Sequence, residues 1–174
     1  KDNSDLLDGR NYITELRGNR YGRTGIYGNV QKVCDDPFSG SPLGAALSFD
    51  TFDINPVYCA AALETVTADG SIDCDGFIKD FCHKRYKTDA YDDDIIALTR
   101  LCDSDECCGS VICARPCTNV KHTAPFDTME RSYDFHKLYD IADRILRSDA
   151  RRTDTLRADI QSIVRQFLSD LAYP

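Results

Sequence analysis

The sequence predicts a mainly helical, disulfide-rich domain that closes in a cysteine-free helical hairpin. Three observations carry this. Apolar residues recur at helical spacing in successive stretches, most of them behind an Asn, Ser or Asp able to cap the N–H groups of a first turn. Nine cysteines are present, and eight fall between Cys59 and Cys117. Beyond Cys117 two amphipathic runs follow with no cysteine at all.

Each element has its own signal. Residues 4 to 17 begin with Ser4 or Asp5 as a cap and carry Leu6, Leu7, Ile13 and Leu16, which predicts a short helix. From Gly18 to Gln31, glycines and tyrosines alternate with basic residues, a pattern of turns and short extended pieces that could form an aromatic and basic contact surface. A long Pro-containing connection leads to Asn55-Pro56, where Asn caps and Pro presets the first helical φ of a helix over 56–66. A second helix over 75–87 carries Phe77, Ile78, Phe81 and Cys82 at helical spacing. A third, over 92–102, starts at Asp92 to Asp94 and faces Ile95, Ile96, Leu98, Thr99 and Cys102 inward. Asp127 and Glu130 then stand as a capping box before a stripe of Phe135, Leu138, Tyr139, Ala142, Ile145 and Leu146. The last helix, Asp154 to Leu171, aligns Leu156, Ile160, Ile163, Val164, Phe167 and Leu171. The chain thus divides into an N-terminal section (1–54), a stapled acidic helical core (55–118) and a C-terminal helical hairpin (119–174), all within one domain.

Charge is unevenly placed. The net charge is −8, and residues 35 to 110 alone hold sixteen acids against five bases. An acidic middle excludes nucleic acid as a partner, because that binding needs a basic face, and favours cations or a basic protein. No stretch is apolar for long enough to span a membrane. The start at Lys1, without an initiator Met, suits a processed secreted product.

The run "CDSDECCGSVICARPC" puts five cysteines, Cys102, Cys107, Cys108, Cys113 and Cys117, into sixteen positions. It lacks the C-x-x-C knuckle of structural zinc sites and redox dithiols. Covalent stapling remains, with Cys59, Cys74 and Cys82 as the other partners in an oxidising, extracellular compartment. Adjacent cysteines cannot easily bond each other, so Cys107 and Cys108 each reach a different segment. The run "DECCGSVIC" resembles the vicinal-cysteine core of knottin-like secreted peptides and toxins, and that resemblance implies stapling chemistry for fewer than about twenty residues. Nine is odd, so one cysteine is left over. Cys34, outside the cluster and in a loop context, is the candidate for an interchain bond and hence a disulfide-linked oligomer.

Residues 65 to 81 look like an EF-hand loop entering its second helix, with Asp69 and Asp73 on ligand positions. Thr65 and Gly76 replace the two anchoring acids, so no working calcium site is expected. His83, His122 and His136 show no nucleophile motif beside them, nor H-E-x-x-H. The expectation is therefore a secreted, non-enzymatic binding or assembly protein without a cofactor, acting through protein partners or self-association, with the hairpin as assembly element. The rivals are a venom-type or signalling ligand for a receptor or channel, and a calcium-dependent hydrolase with an unfamiliar site.

Overall fold

A computed structural model describes residues 12–18, 28–35, 43–49, 55–68, 70–101, 134–148 and 153–172. In chain order these form β1 (Ile13–Gly18), α1 (Val30–Asp35), β2 (Gly44–Phe49), α2 (Pro56–Thr67), α3 (Cys74–Tyr86), α4 (Asp92–Leu101), α5 (Phe135–Arg147) and α6 (Asp154–Ala172). The fold is mainly helical, as the periodicity predicts.

The N-terminal section departs from expectation. Ile13–Gly18 is a strand, not the end of a helix, and it pairs in parallel with β2, Ile13 opposite Gly44 and Gly18 opposite Phe49. A parallel pair needs a crossover between its strands, and α1 lies on that crossover. The segment "ITELRG" is rich in helix formers, so its extended state comes from pairing with a strand far along the chain. At Gly28, φ is +136°, and a Cβ there would stand 2.4 Å from a ring carbon of Tyr58. Glycine therefore lets the chain run close against α2 as it enters α1.

The helices follow their caps. Asn55 accepts hydrogen bonds from the backbone N–H groups of Val57 (3.0 Å) and Tyr58 (3.2 Å), and Pro56 opens α2 as predicted. Helix α3 stops at Lys87, a left-handed residue at φ 56°. Helix α4 begins with Asp92, Asp93 and Asp94, carboxylates that suit the positive end of a helix dipole. The cap of α5 is Asp134, which accepts from Lys137 N–H at 3.1 Å. The capping box at Asp127 and Glu130 lies outside the described residues.

One apolar core joins all six helices. Val30 and Cys34 of α1, Ile78 of α3, Leu138 and Ile145 of α5, and Leu156 and Ile160 of α6 are each fully buried. Helix α5 packs on both α4 and α6, and α6 packs on α3. The C-terminal hairpin is thus part of the same core as the acidic section. Its stripe on α5 is Leu138, Ile141, Ala142 and Ile145, whereas Tyr139 turns outward, half exposed. On α6, Leu156 and Ile160 face inward as expected.

Candidate functional site

Polar groups converge where α3, α4 and α6 meet the start of α2. Arg85 donates to Asp159 through both Nε (2.7 Å) and Nη2 (3.0 Å), and the Tyr86 hydroxyl donates to the same carboxylate at 3.0 Å. Hydrogen bonding to Asp159 holds the Arg85 guanidinium above its usual range. Burial, followed by the Asp159 charge, pushes the Tyr86 phenol well above 10. Both groups therefore stay in one protonation state at neutral pH. Beside this knot a cleft of about 30 Å³ is lined by Asn55, Tyr86, Thr99, Asp159 and apolar neighbours. That volume admits a water molecule and excludes a sugar or nucleotide.

A second cluster links the end of α3 to the start of α4. The Cys82 thiol is buried against Asp92, and burial together with that carboxylate raises its pKa to about 12. A thiol in that state is a poor nucleophile, since thiolate is the reactive form. His83 Nε2 lies 3.4 Å from Asp92 Oδ2, while Asp92 Oδ1 is buried with no hydrogen-bond partner among the described residues. The geometry resembles an acid–base–thiol set only in composition, because the sulfur is held protonated.

Three further carboxylates in the helices are held by arginines. Asp94 pairs with Arg144 across α4 and α5, Asp75 with Arg100 across α3 and α4 at 2.7 Å, and Asp143 with Arg147 along α5 at 2.8 Å. Together with Arg85–Asp159, three of these pairs tie helix to helix. Such pairs fix the positions of the side chains that make them.

The cysteines can be placed in part. Cys34, Cys59, Cys74 and Cys82 are described, and no disulfide joins any two of them. Cys34 is fully buried and lies on α1, not in a loop. Cys59 is the most accessible of the four, half-buried on α2, and burial still raises its pKa. Cys102, Cys107, Cys108, Cys113 and Cys117 lie outside the described residues. Asp73 stands at the N-cap of α3, Asp69 lies outside the described residues, and no group of three metal-ligating side chains gathers among those described. His136 stacks beside Phe135, with ring centroids 4.3 Å apart.

Sequence reasoning did not single out Arg85, Tyr86 or Asp159. They are brought together by packing of α3 on α6, and no local motif announces a contact across that distance in the chain. Among the described residues, no helix is long and apolar enough to cross a membrane.

No family model matches the chain, and no curated protein matches it. A solved structure does share the fold: the family 89 glycoside hydrolase from Clostridium perfringens, in complex with 2-acetamido-1,2-dideoxynojirmycin. The likeness has a TM-score of 0.74 at 16% identity and covers 97% of this chain. It covers 21% of that enzyme's chain, so this chain spans about a fifth of the length of the structure it matches.

Proposed function

We propose that the chain acts as a non-catalytic helical module of a carbohydrate-processing protein, working through protein–protein contact with a glycoside-hydrolase body. The observation that carries this is the extent of the likeness. Nearly the whole chain, 97%, follows the Clostridium enzyme at a TM-score of 0.74. Generic helix pairing would match a pair or two of helices, whereas this likeness extends over almost everything the chain contains. The proposal keeps the contact-based role and the extracellular, oxidising setting expected from the cysteines, and it adds the class of body contacted.

The helices fit a supporting part. Glycoside cleavage ordinarily uses two carboxyl groups flanking the bond, one as acid and one as nucleophile or base. Asp75, Asp94, Asp143 and Asp159 are instead committed to arginines. The cleft beside Asp159 is too small for a sugar ring.

The experiment is an assay of the native protein, isolated from its source with an antibody to residues 70–101, against chromogenic aryl 2-acetamido-2-deoxyglycosides. The 174-residue chain is assayed beside it. Hydrolysis by the native protein and none by the chain supports the proposal. No hydrolysis by the native protein, or turnover by the chain alone, overturns it. The cysteine density between Cys102 and Cys117 favours a second reading, a self-standing secreted binding protein held by disulfides. On that reading the native protein has the mass of the chain and cleaves nothing.

A further inference from the structure

We infer that the small cleft where α4 and α6 meet the start of α2 is a built site for one ordered water, which accepts hydrogen bonds from Asn55 and Thr99 and donates one to Asp159. Such a water serves the fold itself and does not depend on which body the chain contacts.

Two buried polar side chains point to it. Asn55 is 8% exposed and Thr99 7%. A buried threonine on a helix commonly returns its hydroxyl to its own backbone, as Thr65 does on α2, donating to the Ala62 carbonyl at 3.0 Å. The Thr99 hydroxyl makes no such bond on α4, and no other described residue partners it. Asn55 uses Oδ1 to accept from the N–H groups of Val57 and Tyr58, which leaves its amide NH2 without a partner among the described residues. Among those residues, Asp92 Oδ1 is the one buried side-chain atom both sealed from solvent and unpartnered. The Asn55 amide and the Thr99 hydroxyl therefore keep contact with open space, and the space both line is this cleft.

Asp159 supplies the acceptor. Its Oδ2 takes Arg85 Nε and the Tyr86 hydroxyl, while Oδ1 takes Arg85 Nη2. Each carboxylate oxygen has two lone pairs, so Oδ1 has room for one more donor. The cleft holds about 30 Å³, more than the roughly 10–15 Å³ that one water needs. Asn55, Thr99 and Asp159 then provide the three hydrogen bonds that a buried water typically makes.

The mixture of donors and acceptor selects water over other small occupants. A cation would face the Asn55 N–H groups, an anion would face the Asp159 carboxylate, and an apolar group would leave two buried donors unsatisfied. Val57, Leu98 and Ile160 wall the cleft, so these bonds lie in surroundings of low dielectric, where they are stronger than in bulk water. Helix α2 packs on α1 and α3, and α6 on α3 and α5. The water joins the cap of α2 to α4 and to the Arg85–Tyr86–Asp159 knot, so cap and knot become one network.

A crystal structure of the 174-residue chain, at a resolution that shows ordered water, tests this beside Thr99→Val and Thr99→Ser. Density for one water within hydrogen-bonding reach of Asn55, Thr99 and Asp159 is expected in the parent and in Thr99→Ser. Thr99→Val, nearly the same shape without the hydroxyl, should weaken that density and lower the melting temperature by about 2–4 °C. Asn55→Ala should lower the melting temperature less in the Thr99→Val background than in the parent, because the two residues share one water. A cleft without water density in the parent would overturn the inference. So would a Thr99→Val variant that melts no lower than the parent, which marks a dry cleft, or effects of Asn55→Ala and Thr99→Val that simply add.

Discussion

Arg85 and Asp159, 74 residues apart in the chain, meet in a two-pronged ion pair that fastens α3 to α6. Tyr86 adds a third hydrogen bond to the same carboxylate. Asp159→Ala removes the acceptor for all three. Arg85 is 39% exposed, so solvent screening limits the loss to about 1–2 kcal/mol, read as a shift in the urea midpoint. Asp75→Ala, at the more exposed pair with Arg100, should cost less than about 0.5 kcal/mol.

The cap of α2 gives a second test. Asn55 is buried and satisfies two backbone N–H groups, so Asn55→Ala should destabilise the protein by about 0.5–2 kcal/mol. Asn55→Ser, which keeps an acceptor, should recover most of that in the same titration.

Alkaline pH should unfold the protein through Cys82. Its folded pKa is raised from 9.0 to about 12 by burial and by Asp92. The folded state therefore retains a proton that the unfolded chain releases. This contribution is complete below about pH 9 and is lost as pH rises toward about 12. Tyr86 is raised as well, which adds in the same direction. The thermal midpoint should fall over that window, and Cys82→Ala should make the fall shallower.

Alkylation at neutral pH should follow accessibility. Cys59 should label first among the four described cysteines, and Cys34, Cys74 and Cys82 only as fast as the core opens. Peptide mapping after timed iodoacetamide treatment checks this. Labelling of Cys34 as quickly as Cys59 would contradict its placement in the core.

What was legible in the sequence was whatever is written locally. Asn55-Pro56 announces α2, and the aspartates at 92–94 announce α4, because caps act over a single turn. The strands were not legible. "ITELRG" has good helix formers, "GAALSF" sits in a glycine- and proline-containing connection, and each is extended because the other is beside it. Cys34 read as loop because only a six-residue helix carries it, too short for a periodic signal. On α5 the pattern offered Tyr139 and omitted Ile141, a rotation of the helix that packing against α4 and α6 decides. The knot of Arg85, Tyr86 and Asp159 is likewise a product of tertiary packing.

The central claim is that these helices support chemistry carried out elsewhere in the protein. The most direct measurement is kcat/KM of the native protein carrying Asp94→Asn or Asp159→Asn, taken on an aryl 2-acetamido-2-deoxyglycoside at a temperature where circular dichroism shows each variant folded. The account predicts values within about twofold of the parent, with a lowered Tm for Asp159→Asn. A loss of about a hundredfold or more in a folded variant would place these carboxylates in the reaction and contradict it.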